Sequence, residues 1–180
     1  MWVIVFQNVR TPKMSHNSII TRSVFAAVAL ATAAVAISAP AKPNWMLTFG
    51  LSNQGAHIVG NPAAPTKVVE YLSYTCGHCA DFENNEAAPF KAAYVATGKA
   101  SLEVRNLVLN PVDLTAAMLA RCGGKGRFFG NHKHLFATQK TWLSKTKNIS
   151  AATQAKLKAE DFVGFMTGVY TEIGLSTIMQ

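Results

Sequence analysis

The feature that most constrains this chain is an apolar run that ends in two cysteines three positions apart. Val68-Val69-Glu70-Tyr71-Leu72 leads through Ser73-Tyr74-Thr75 into Cys76-Gly77-His78-Cys79, and a helical pattern follows at once. A near-continuous apolar run rich in β-branched residues suits a strand buried on both faces. A strand that hands over to a helix here puts Cys76 at the helix N-terminus. Unpaired backbone N–H groups and the positive end of the helix dipole favour an anion at that point. The anion is a thiolate, the reactive form of cysteine. Cys79, one turn further on, can close a disulfide with Cys76, and His78 can add positive charge beside the sulfur. The same spacing serves half of a zinc site, but a strand before it and a helix after it favour a dithiol redox centre.

Glu70 stands in the middle of that apolar strand, six positions before Cys76. Burying an unpaired charge is expensive, so an acid placed there points to a role. The competing reading is an edge residue that reaches solvent.

Residues 24–39 form a continuous run of small and apolar side chains, preceded by Lys13 and Arg22, with Ala34-Val35-Ala36 and Ala39-Pro40-Ala41 at cleavage spacing. This is the pattern of a secretory signal peptide, placed at residues 1–41. Met14 is an alternative start, since residues 1–12 add nothing such a leader needs. An uncleaved anchor is the competing reading, but the run falls short of the roughly 20 residues of a full span. Exported compartments tolerate disulfides. The only cysteines are Cys76, Cys79 and Cys122. An odd count argues against a structural disulfide framework and for one redox pair with a bystander. The formal net charge of +8 is spread along the chain without a Lys/Arg run, so it speaks to solubility and not to nucleic-acid binding.

The longer string from Gly60-Asn61-Pro62 through Thr66-Lys67-Val68-Val69-Glu70-Tyr71 and Ser73-Tyr74-Thr75-Cys76-Gly77-His78-Cys79-Ala80-Asp81-Phe82-Glu83 closely resembles the DsbA-like family of bacterial periplasmic thiol-disulfide oxidoreductases, which have a thioredoxin fold. The resemblance is strongest over residues 57–83 and weaker over 105–111 and 116–143. It implies an enzyme that exchanges a disulfide with substrate proteins through Cys76 and Cys79, without a cofactor or a metal. His78 is the residue typical of the oxidising members, and Gly77 replaces a proline often found there. A family acid matching Glu70 lies beneath the active site and shuttles a proton to the inner cysteine, here Cys79. Glu83 also matches a family position and reads either as a tuning charge or as part of a solvated helix face. The implied partners are reduced or unfolded exported proteins and a membrane quinone-linked oxidase. The implied location of the mature, non-spanning form is the periplasm.

The fold class expected is α/β: a thioredoxin-like fold with an inserted helical subdomain. Residues 42–111 are the strand-helix-strand half that carries CGHC, and residues 112–180 are the helical subdomain. Strands are expected near 56–59, 66–74 and 101–109, and the helix after CGHC near 77–97, with a kink at Pro89. Further helices are expected at 112–122, 126–143, 151–158 and 161–173. No proline follows Pro111 and no strand-like run follows Leu109. The remaining strands and the cis-proline loop that the family places opposite CxxC are therefore expected to be missing. Such a chain should leave an apolar sheet edge unpaired and be a weak catalyst. Two other readings stay open. One is a metal-binding protein that uses Cys76 and Cys79 with His132 and His134, although those histidines read as part of a solvated helix face. The other is a non-catalytic family remnant. Cys122 reads as a small buried hydrophobe.

Overall fold

The computed structural model describes residues 3–8 and 43–179. The predicted signal peptide lies outside the described residues, apart from the stretch 3–8. Among the described residues the strands are β1 (Val3–Asn8), β2 (Phe49–Leu51), β3 (His57–Gly60), β4 (Thr66–Leu72) and β5 (Ala100–Asn106). They form one sheet in the order β1-β4-β5-β3-β2. β4 and β5 pair in parallel, with Glu70 opposite Val104, and all other pairs are antiparallel. A parallel neighbour needs a crossover, and the helical run over residues 77–95, here α1, supplies it.

β4 is the centre of the molecule because its side chains are buried on both faces: Val68, Val69, Glu70 and Leu72 are all inaccessible. β5 runs beside it with Leu102 and Val104 inside. β3 is shifted one residue from the predicted 56–59, and β5 ends at Asn106, three residues early. Leu107, Val108 and Leu109 leave the sheet and stand about half exposed. The apolar triplet that read as strand is surface.

Around Pro89, residues Phe82–Glu86 and Lys91–Val95 take wide π-type turns on either side of the segment Ala87–Phe90 that holds the proline. Proline lacks the N–H of an ordinary helical turn and crowds the carbonyl four residues back. Widened turns absorb that conflict along the helix. Gly98 closes the crossover at φ +75, and a Cβ there would press to within 2.7 Å of the Trp45 ring nitrogen.

The helical half comprises α2 (Pro111–Ala120), α3 (Lys125–Ala137), α4 (Gln139–Lys145), α5 (Ala151–Lys158) and α6 (Phe162–Glu172). The single helix predicted over 126–143 is broken at Thr138, which leaves helical geometry at φ −106, ψ 8. Asn110 caps α2 by accepting the Asp113 N–H at 2.9 Å, and Pro111 follows at the first helical position. One apolar core runs through both halves, from Val68, Leu72 and Val104 to Phe128, Leu135, Phe136 and Trp142.

The open edge expected beside β4 is not found. Val3–Asn8 pairs antiparallel along it, from Val3 opposite Tyr71 to Asn8 opposite Thr66, and β3 covers the far side of β5. Residues 1–12 were read only as adding nothing that a leader needs. Their apolar stretch Val-Ile-Val-Phe has strand propensity, and an unpaired row of backbone groups on β4 is a template for it.

Candidate active site

Cys76 is the N-cap of α1, with extended backbone at φ −87, ψ 121, and it is half-buried. The turn that delivers it is tied down by side chains distant in sequence. The Gln139 amide donates to the carbonyls of Tyr74 at 2.8 Å and Cys76 at 2.9 Å. One oxygen of the buried Asp113 carboxylate accepts the Tyr74 N–H at 2.8 Å, and the other accepts the Leu109 N–H at 2.9 Å. Asn110 donates to the Thr75 hydroxyl at 3.0 Å. None of these three residues was singled out from the sequence. Asn110-Pro111 has the residue types of a helix start, but nothing in it signals its reach to the CGHC turn.

The two thiols are chemically unlike. Burial opposes ionisation of Cys76, yet hydrogen bonds from the Cys79 N–H and thiol and from the His78 N–H outweigh it, and its pKa lies below the ordinary value. Cys79 is 4% exposed. Burial above all pushes its pKa up to about 11, with the charges of Cys76 and Glu70 adding to the rise. The His78 side chain is exposed. Its pull on the Cys76 sulfur comes from its backbone N–H, not from the ring charge expected.

Glu70 lies in the protein interior, 3% exposed. The edge reading is therefore excluded. Burial, then the nearby Glu83 carboxylate, raise its pKa to about 7, against a smaller opposing effect of Lys91. Glu83 is also buried, which corrects the solvated-face alternative. Burial disfavours its charge, but His132 and Lys91 more than compensate and hold its pKa below the usual carboxylate range. Lys91 donates to Glu83 Oε1 at 2.7 Å.

His132 is inside as well, 1% exposed, where a solvated face was expected. α3 turns it toward Tyr74, whose hydroxyl lies 3.0 Å from Nδ1, and toward Glu83 Oε2, 3.4 Å from Nε2. Burial lowers its pKa, against the pull of Glu83. His134 is exposed. Among the described residues the one grouping of metal-ligating type is Glu70, Glu83 and His132. It does not include Cys76, Cys79 or His134, so the four-residue set read from the sequence is not assembled. Cys122 is half-buried, more open than expected, and its thiol contacts the Met118 carbonyl at 3.6 Å.

The family model described as thioredoxin (Thioredoxin_4) matches residues 52–168. The chain belongs to this thioredoxin family. A solved structure of a protein-disulfide isomerase from Novosphingobium aromaticivorans is similar at 33% identity and TM-score 0.62, covering 69% of this chain and 64% of that one. Wolbachia pipientis alpha-DsbA1 is similar at 29% identity and TM-score 0.51, covering 72% of this chain and 64% of that one. A Rickettsia typhi protein that bears the provisional name protein-disulfide oxidoreductase is 34% identical over 102 residues, 56% of this chain and 37% of that one. The chain thus spans about a third of the length of the curated relatives it matches. The DsbA-like, thioredoxin-type fold read from the sequence stands.

Proposed function

We propose that this chain is a thiol-disulfide oxidoreductase acting through Cys76 and Cys79. The observation that carries this reading is the inequality of the pair: a half-buried Cys76 that favours the thiolate, beside a buried Cys79 that resists ionisation. In the disulfide form, a thiolate of the substrate protein attacks the Cys76 sulfur. The Cys76–Cys79 bond breaks, and Cys79 leaves with the electron pair and takes up a proton. A second substrate thiolate then attacks the substrate sulfur of the mixed disulfide and releases Cys76 as thiolate. Two electrons have passed from the substrate to the dithiol. A low pKa makes Cys76 a good leaving group and favours the reduced enzyme. Cys79 needs a proton at the first step, and Glu70, with a pKa near neutrality, is the nearby acid that supplies it. In the reverse direction it accepts the proton.

The substrates we infer are reduced or unfolded exported proteins, met in the periplasm by a mature chain from which removal of the leader has also taken β1. A membrane redox partner would restore the disulfide. Among the described residues no helix is long and apolar enough to cross a membrane. The half-exposed Leu107, Val108 and Leu109, with Phe162 beyond them, offer apolar surface beside the turn that Asn110 ties to Thr75. That surface suits an unfolded polypeptide.

The test is to trap the intermediate. In a Cys79→Ser chain, a substrate peptide supplied as an activated mixed disulfide should remain attached at Cys76 and be identified there by peptide mass mapping. In the unaltered chain it should be released. An adduct that is equally stable in both chains would refute the reading.

A further inference from the structure

Glu70 does not face Cys79 as an isolated acid. One carboxylate oxygen of Glu70, one of Glu83 and a ring nitrogen of His132 all lie within 4.8 Å of one another. Glu70 Oε2, Glu83 Oε2 and His132 Nε2 are buried without an ordinary hydrogen bond, the last two lying 3.4 Å apart. The far atoms of two of the three are held: His132 Nδ1 by the Tyr74 hydroxyl, and Glu83 Oε1 by Lys91. Two carboxylates this close in an apolar interior cannot both carry full charge cheaply, and the low-cost state has one proton between them.

We propose that Glu70 and Glu83 form a carboxyl pair that shares a single proton beneath the dithiol, with Lys91 and His132 as the positioning residues that assign the proton to Glu70. The groups facing Glu70 are Cys79, Glu83 and Lys91 from α1, Tyr74 from the turn after its own strand, and His132 from α3. Lys91 holds Glu83 ionised, so Glu70 keeps the proton on the side of Cys79. When Cys79 leaves as a thiolate, the proton passes to its sulfur and the pair is briefly doubly charged beside Lys91. Glu83 and Lys91 also line a cavity of about 390 Å³ behind α1, walled by Phe49, Ala88, Ala92 and Phe129. This cavity opens on the Glu83 side of the pair and gives it a place to regain its proton. This consequence rests on the oxidoreductase reading; the shared proton does not.

The test uses the full chain with Cys76→Ser and Cys79→Ser, which exchanges no disulfides, and follows the ¹³C side-chain carboxyl resonances of Glu70 and Glu83 with pH. Glu70 should step near pH 7, and the Glu83 resonance should follow with a smaller step of the same midpoint, because the shared proton rests mostly on Glu70. Adding Glu83→Gln should lower the Glu70 midpoint by about one pH unit, and adding Lys91→Met should raise it. Opposite movements are the signature, because loosened packing alone would move both variants the same way. A Glu83 resonance that stays flat through the Glu70 step overturns the proposal, and this reading needs no substitution within the cluster. If the carboxyls titrate jointly but the Cys79→Ser chain traps no mixed disulfide, the oxidoreductase reading fails and the pair stands.

Discussion

The Gln139 side-chain amide donates to the carbonyl of Cys76, 63 residues earlier in the chain, at 2.9 Å, and to that of Tyr74 at 2.8 Å. The first residue of α4 thereby fixes the turn that carries Cys76. Gln139→Ala leaves two carbonyls without this donor in a buried setting, which costs about 1–3 kcal/mol. The expected outcome is a lower urea midpoint with an unchanged slope, together with a looser CGHC turn. Gln139→Glu should be worse, because it replaces the donor with an acceptor facing two acceptors.

Alkylation should discriminate the two thiols. In the reduced chain at mildly acidic pH, iodoacetamide should label Cys76 well before Cys79, since only Cys76 has a depressed pKa. The linkage sign follows. The thiolate of Cys76 stabilises the reduced fold above the unfolded-state thiol pKa, and that contribution is lost as pH falls through the folded value. The high pKa of Cys79 acts in the opposite sense. Its contribution is present below the unfolded thiol pKa and is lost as pH rises toward 11. Preferential labelling of Cys79 would reverse the assignment of nucleophile.

Glu70→Gln should separate stability from chemistry. The pKa of Glu70 is raised from 4.5 to about 7. Its protonated form therefore contributes stability below pH 4.5, and that contribution is lost as pH rises through 7. At about 1.4 kcal/mol per pH unit, ionising it in place costs up to about 3 kcal/mol. The glutamine chain should be more stable than the parent at pH 8 and nearly equal to it at pH 4.5, by denaturant titration at the two pH values. Departure of Cys79 should meanwhile slow by about a hundredfold in stopped-flow exchange, the lower end of the range for loss of a general acid.

Removing β1 should expose what it covers. A chain beginning at residue 42 lacks Val3–Asn8 and leaves the β4 edge from Thr66 to Tyr71 open. We expect concentration-dependent association in light scattering, relieved by a lysine introduced on that edge at Thr66. A strictly monomeric shortened chain would show that the edge is protected in some other way.

Much of the architecture could be read from local pattern. β4 is legible because burial on both faces demands a continuous apolar run, and α1 because its start is fixed by the strand before it. The helix Ala151–Lys158 falls where its pattern placed it. What escaped is long-range. Gln139 and Asp113 look like ordinary polar residues of helix starts, and nothing near them in sequence signals bonds reaching back 65 and 39 positions. His132 was assigned to the wrong face because polarity suggested solvent, whereas Tyr74 and Glu83 give it partners inside. The break at Thr138 carries neither glycine nor proline to mark it. Leu107, Val108 and Leu109 misled in the other direction, because apolar residues at a surface look like strand.

His57 on β3 stacks on Phe128 of α3, with ring centroids 3.8 Å apart and planes 5° from parallel. Burial and Arg121 lower its pKa to about 4, so the ring is neutral at physiological pH and its face packs as an arene would. That contact joins the sheet to the helices at the heart of a common core. The helices after Pro111 are consequently poor candidates for a cassette swap: a foreign helical insert would have to bring its own partner for His57, its own cap for the Tyr74 turn and its own wall for Glu83. Exchanging the helical part would therefore also disturb the surroundings of Cys76, Cys79 and Glu70.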